Sequence, residues 1–149
     1  MSILQGATTS FKVELFQAVH NFGPTSPDTF KVALYTASAD INASTTAYST
    51  TNEVTGTGYT AGGNTLTIDV SPTSGNNSSN IPTAYISFSN TSWTNASFTA
   101  RAALIYNDSA TGNPSVAVLD FGSDKTVSND TFQIIFPTPD ANSAIVRIE

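Results

Sequence analysis

Between Phe98 and Phe136 the large apolar residues recur at every second position. Phe98, Ala100, Ala102 and Leu104 share one parity, Phe132, Ile134 and Phe136 share one parity, and Val116, Val118 and Leu119 lead into Asp120-Phe121-Gly122 between them. A period of two, bounded by turn residues, is the pattern of strands that bury one face. The polar clusters from Asn107 to Pro114 and from Gly122 to Asp130 are the expected turns. The stretch therefore predicts an antiparallel unit of three strands. It carries little chemistry, because the residues between the apolar positions are mostly Ser, Thr, Ala and Asn.

The rest of the chain extends this reading. Residues 1–9 form a polar lead, expected as an arm, with Ile3 and Leu4 as its only large apolar side chains apart from Met1. Phe11, Leu15, Ala18, Val19 and Phe22 then fall on one helical stripe, which predicts a helix capped by Ser10 and stopped by Gly23-Pro24. Ser10 to Phe16 is nearly repeated as Thr29 to Tyr35, but Pro24, Pro27 and Asp28 precede the second copy, so it is expected as a strand. Short strands are expected near Tyr48 and Tyr59, and alternation from Asn64 to Val70 predicts another. Ser71 to Pro82 reads as a loop with Gly75-Asn76-Asn77 at its tip, Thr83 to Asn90 as a strand, Asn90 to Asn95 as a turn carrying Trp93, and Ser143 to Ile148 as a terminal strand. About eight strands and one helix without an internal linker indicate a single antiparallel β-sandwich over residues 10–149, with a jelly roll as the commonest winding of eight.

Composition narrows the functions. The chain has no Cys and one His, so thiolate chemistry, disulfides and zinc-cysteine sites are excluded. Charged residues are 11% of 149, against about 25% in an average domain, which leaves the surface to Ser, Thr and Asn. Five basic against eleven acidic residues give a net charge of −6, the wrong sign for nucleic-acid phosphate or an anionic membrane. The start of the chain lacks the basic and apolar regions of a secretion signal, and there is no run of eighteen apolar residues.

Motifs for catalysis are scarce. His20 lies near the end of the expected helix with no Gly-x-Ser-x-Gly elbow in the chain, and is expected to cap the last helical carbonyls. No Gly is followed by Lys, so no phosphate loop is present. Asp108, Asp120, Asp124 and Asp130 lie in or beside expected turns, where Asp bonds the local backbone; glycosidase carboxylates and a calcium loop at Asp120, Asp124 and Asp130 are the weaker readings. Trp93 with Tyr85 offers a sugar-stacking platform, against the commoner role of closing the end of a core. Asn42, Asn90, Asn95 and Asn129 head Asn-x-Ser/Thr triplets, expected as accidents of a chain rich in those residues. No cofactor, metal or catalytic residue is expected.

Several segments together resemble one family. Ser10-Phe11-Lys12-Val13-Glu14-Leu15, Phe30 to Ala37, Gly58-Tyr59-Thr60-Ala61-Gly62-Gly63, Ala102 to Asn107 and Val118 to Lys125 resemble small structural proteins of tailed-bacteriophage virions. The resemblance spans nearly the whole chain. It implies a non-enzymatic β-sandwich in the virion that cements or decorates the capsid shell, with the major capsid protein and itself as partners, as a trimer or dimer. A head-fibre or tail-associated carbohydrate-binding module is the alternative. The residues expected at such contacts are Ile3 and Leu4 of the arm, Asn76 and Asn77 of one loop, Trp93, and Asp108 of another.

Overall fold

The structure, a computed structural model, describes residues 2–149. In chain order its elements are β1 (Gly6–Ala7), α1 (Thr9–Phe16), β2 (Phe30–Tyr35), β3 (Asn64–Leu66), β4 (Ile68–Asn76), β5 (Pro82–Phe88), β6 (Thr91–Asn107), β7 (Ser115–Ile134) and β8 (Val146–Ile148). Two antiparallel sheets result, one ordered β1-β7-β6-β2-β3 and one ordered β4-β5-β8. The all-β sandwich with one short helix is thus the architecture. The strand pairings establish the sandwich without establishing a jelly roll.

The larger sheet is buried on both faces. Phe30, Val32 and Leu34 of β2 pack with Ala103 and Ile105 of β6 and with Ile86 and Phe88 of β5 into the core between the sheets. Ala33 and Tyr35 point the other way, where Ala102, Leu104, Tyr106 and Val118 meet Ala39 and Ile41, with Ile3 and Tyr48 packed alongside. Residues 36–63, which form no strand longer than an isolated bridge, supply through Ala39, Ile41 and Tyr48 a third layer over the outer face, while Val54 and Tyr59 reach the core between the sheets. A central sheet covered on both sides explains why β2 reads as an almost unbroken apolar run.

The long β6–β7 hairpin replaces the three strands expected from Ala100 to Phe136. Its turn is residues 108–114, and the expected turns at Asn90 to Asn95, from Thr91 on, and at Gly122 to Asp130 lie inside β6 and β7. The polar run around Gly122 is an irregularity within the strand. Ala102 pairs with Asp120 and Ala100 with Lys125, so residues 121–124 are an insertion opposite Arg101. There Asp120 Oδ1 accepts from Gly122 N at 2.8 Å and from Arg101 Nε at 3.3 Å, and Gly122 takes φ 75°. Such bulges bend a strand without ending it.

Three further expectations are corrected. Most of the loop expected from Ser71 to Pro82 is strand: β4 pairs with β5 through Asn76↔Pro82, leaving residues 77–81 as the turn. Asn77 closes that turn, its N donating to Ile81 O at 3.0 Å and its Oδ1 accepting from Ser79 N and Ile81 N. The segment expected as one strand from Asn64 to Val70 splits between the two sheets after Leu66. Around Tyr48 and Tyr59 there are only the isolated bridges Ala47↔Pro114 and Thr57↔Ser97.

The helix is shorter than its stripe. Thr8, not Ser10, is the N-cap, its hydroxyl accepting from Phe11 N at 3.4 Å. The helix ends at Phe16 because Ala18 adopts φ 57°, with Val19 N donating to Glu14 O at 3.1 Å and Ala18 N to Leu15 O at 3.3 Å. This is a Schellman motif with alanine where glycine is usual. The stripe continues past it because Phe22 is buried in the same core as Phe11 while lying outside the helix.

Candidate functional site

The single histidine illustrates how polar groups are used here. Its side chain is fully buried, stacked near Phe22 and Phe30 and edge-on to Phe11. Asn107 Nδ2 lies 3.2 Å from His20 Nδ1, and His20 Nε2 lies 2.8 Å from Glu14 Oε2. An amide nitrogen can only donate, so Nδ1 accepts and the ring hydrogen sits on Nε2, facing the carboxylate. Asn107 Nδ2 also donates to Asp28 Oδ2 at 2.7 Å, and that carboxylate accepts from Asn21 N. His20 therefore joins the segment after α1 to the end of β6, rather than capping helical carbonyls. Among the described residues the ring's side-chain partners are Glu14 and Asn107, and no Ser hydroxyl is placed as in a triad.

A second hub forms on the outer layer around Glu53, which is buried. Tyr48 donates to Oε2 at 2.7 Å, and Tyr59 and Gly62 N donate to Oε1 at 2.7 Å each. Tyr59 also accepts from Leu34 N of β2 at 2.8 Å, so one hydroxyl joins the layer to the sheet. Tyr106 stacks on Tyr48 with centroids 4.6 Å apart and donates to Gly62 O at 2.8 Å, while Tyr35 donates to Ser49 O at 2.6 Å. Burial, with the nearby carboxylate second, pushes the Tyr48 phenol up to about 12, and burial pushes Tyr35, Tyr59 and Tyr106 up as well. These groups are structural donors, held away from ionisation.

The expected contact residues are dispersed. Ile3 is half-buried on the outer layer, paired with Ile41, and Leu4 N donates to Ile41 O at 3.2 Å, so the arm lies against the domain while the Leu4 side chain is exposed. Trp93 is 4% exposed, packed against Phe132 and Tyr59, and its Nε1 has no partner. Too little of its ring reaches the surface for sugar stacking. Asn76 donates to Asn80 Oδ1 and Asn77 to Glu149 Oε1, both at the β4–β5 turn. Asp108 pairs with Lys31 at 3.3 Å at the opposite connection. Asp120 is committed to Arg101 and Gly122, and among the described residues no three His, Cys, Asp or Glu side chains group as metal ligands.

Compared with family models, curated proteins and solved structures, the chain matches none.

What the surface does offer is one open side of the sandwich, which the sequence reading missed. Here α1, β1, β7 and β8 surround a cleft of about 480 Å³ lined by Phe11, Leu15, Ala117, Leu119 and Val146, with Lys12, Arg147 and Glu149 around it. An adjoining groove of about 190 Å³ runs between Leu15 and Phe22 on one side and Ala84, Ile86, Val146 and Ile148 on the other. The exposed side chains Val13 and Phe16 stand on the side of α1 turned away from the Phe11 and Leu15 side that lines it, Phe16 being 95% exposed. In the sequence the signal was the apolar Val13-x-x-Phe16 pair lying off the helical stripe.

Proposed function

We propose that this chain is a structural protein of a tailed-phage virion, a cement or decoration protein that binds the major capsid protein and stabilises the shell. The proposal starts from the sequence resemblance. The observation that supports it most is the contrast between an interior whose polar groups, Trp93 Nε1 excepted, are occupied with one another and a surface that leaves Val13, Phe16 and Ile148 exposed to water. Scattered exposed apolar residues are ordinary, but a phenylalanine that is 95% exposed on a helix whose other side lines an apolar groove suits contact with other chains. A cement needs a module that does not deform. Here the outer layer, the helix and the β6–β7 hairpin are each fastened by buried or part-buried side-chain bonds. Many weak contacts repeated over a shell then sum to strong retention.

Purified protein added to shells that lack it tests the reading. Saturable binding of a fixed number of copies, seen by electron microscopy, with a raised shell melting temperature is the expected result. Shells that bind no copies at protein excess would overturn it. The glycan-binding alternative draws no support from Trp93, whose ring is interior.

A further inference from the structure

We infer that a polar hollow at the smaller sheet binds a small neutral polyol, either free or as the end residue of a glycan. The hollow, of about 400 Å³, lies where the β4–β5 pair meets residues 136–139, and the polar side chains on its walls are Asp69, Ser87, Ser89, Asn90 and Thr138.

Ser87 is the group that calls for a ligand. Ile86 and Phe88 belong to the core between the sheets, so alternation puts Ser87 on the opposite face of β5. It is 1% exposed, yet its hydroxyl bonds no described residue. The buried hydroxyls of Thr8, Thr83 and Ser115, by contrast, each bond the chain. Nor is the Ser87 oxygen sealed in, as Trp93 Nε1 is, because it opens on the hollow. Buried polar groups are as a rule hydrogen-bonded, so the partner of this one belongs in the hollow.

Asp69 reaches the same place through an irregularity of the ladder. Ile68 pairs with Phe88 and Val70 with Ser87, so Asp69 is an extra residue on β4, in a bulge of the kind that re-aims a side chain. Its carboxylate takes part in none of the ion pairs among the described residues. Asn90 Oδ1 accepts from Phe136 N at 2.9 Å, which holds the amide and leaves Nδ2 to donate. Pro137 and Pro139 restrict the backbone of the remaining wall, so the hollow is formed in advance and little order is lost on binding.

These groups select the ligand. No Lys or Arg lines the hollow, and its one carboxylate repels phosphates and carboxylates. A calcium ion takes about 6–8 oxygens and finds a single charged side chain here. Phe88 and Phe136 are buried, so no ring face is offered to a flat aromatic ligand. A polyol matches what is left: its hydroxyls can donate to Asp69, exchange bonds with Ser87, Ser89 and Thr138, and accept from Asn90 Nδ2. The volume falls within the roughly 300–1,000 Å³ of small-ligand pockets.

This inference stands apart from the virion reading, because its test needs only the purified chain. Amide shifts of the isotope-labelled protein are followed by NMR while sorbitol, methyl α-glucoside, methyl α-galactoside or methyl N-acetyl-α-glucosaminide is added. Each goes to about 50 mM, above the millimolar Kd expected of a few hydrogen bonds. At least one should move the amides of Asp69, Ser87, Ser89 and Thr138 in a saturable way; sorbitol doing so marks a free polyol as the ligand, a glycoside the end of a glycan. Asp69→Ala should weaken that binding by about tenfold or more, and Ser87→Ala by less. Both variants should keep the natural melting temperature, because neither side chain bonds the rest of the chain. No saturable shift at these residues with any of the probes overturns the inference, as does undiminished binding by Asp69→Ala, or saturation by calcium chloride in place of the polyols.

Discussion

Replacing Tyr59 with Phe removes one oxygen and tests how the outer layer is held. That oxygen accepts from Leu34 N at 2.8 Å and donates to Glu53 Oε1 at 2.7 Å. Leu34 is fully buried in β2, so its N–H is left without a partner, at about 1–3 kcal/mol. Glu53 loses one of three donors, a charge-assisted bond worth about 1.5–3 kcal/mol, while Tyr48 and Gly62 N remain. A working total of about 3 kcal/mol corresponds to a fall of roughly 6–12 °C in melting temperature for a domain of this size. Tyr48→Phe is the control: it removes one bond to the same carboxylate near the surface, keeps the ring stacked on Tyr106, and should cost about 1 kcal/mol. Urea unfolding followed by fluorescence of the single Trp93, whose ring centroid lies 6.0 Å from that of Tyr59, measures both. Equal losses for the two variants, or a Tyr59→Phe chain within 1 kcal/mol of the natural one, would refute the reasoning that one hydroxyl couples the layer to the sheet.

Two further outcomes are expected. Ala18→Gly removes the side chain from a left-handed position, φ 57°, and should stabilise the chain by about 1 kcal/mol, read as a higher urea midpoint with an unchanged slope. Because Tyr35, Tyr48, Tyr59 and Tyr106 ionise at higher pH folded than unfolded, their contribution is fully present below the unfolded value of about 10 and is lost as pH rises above it; melting temperature should hold near neutrality and fall steadily above pH ~10. A flat profile through that range would contradict the burial of the phenols.

The β class was legible because alternation is a direct consequence of strand geometry, and Phe30 to Tyr35 and Thr83 to Phe88 stand close to where their patterns put them. The continuity of β6 and β7 was not. Polar stretches such as Asn90 to Asn95 and Gly122 to Asp130 look like turns when only neighbours in sequence are considered, yet Thr91 to Trp93 and Lys125 to Ser128 find their partners across the hairpin. The parity of Ala100, Ala102 and Leu104 also misled. Ala100 faces the core between the sheets while Ala102 and Leu104 face the outer layer, because β6 switches parity at Arg101, where the ladder is irregular between Ala100 and Ala102. Nor does an alanine at position 18 advertise a left-handed helix end, which is why the apolar stripe to Phe22 read as helix. The hubs around Glu53 and His20 join residues far apart in the chain, so no spacing rule finds them. The exposure of Phe16 depends on which side of α1 the sheets occupy, a fact of packing alone.

The early residues find their partners near the far end of the chain. Gly6 and Ala7 pair with Val118 and Ala117, Thr8 bonds Ser115, and β5 receives β8 only when residues 146–148 arrive. During synthesis, then, the β6–β7 ribbon can zip from its own turn, but the helix cap and both sheet margins wait until most of the polypeptide has left the ribosome. Such distant closures make for slow folding, so newly made copies spend a period with the Phe11 and Phe22 core uncovered, when crowding by their neighbours is most hazardous.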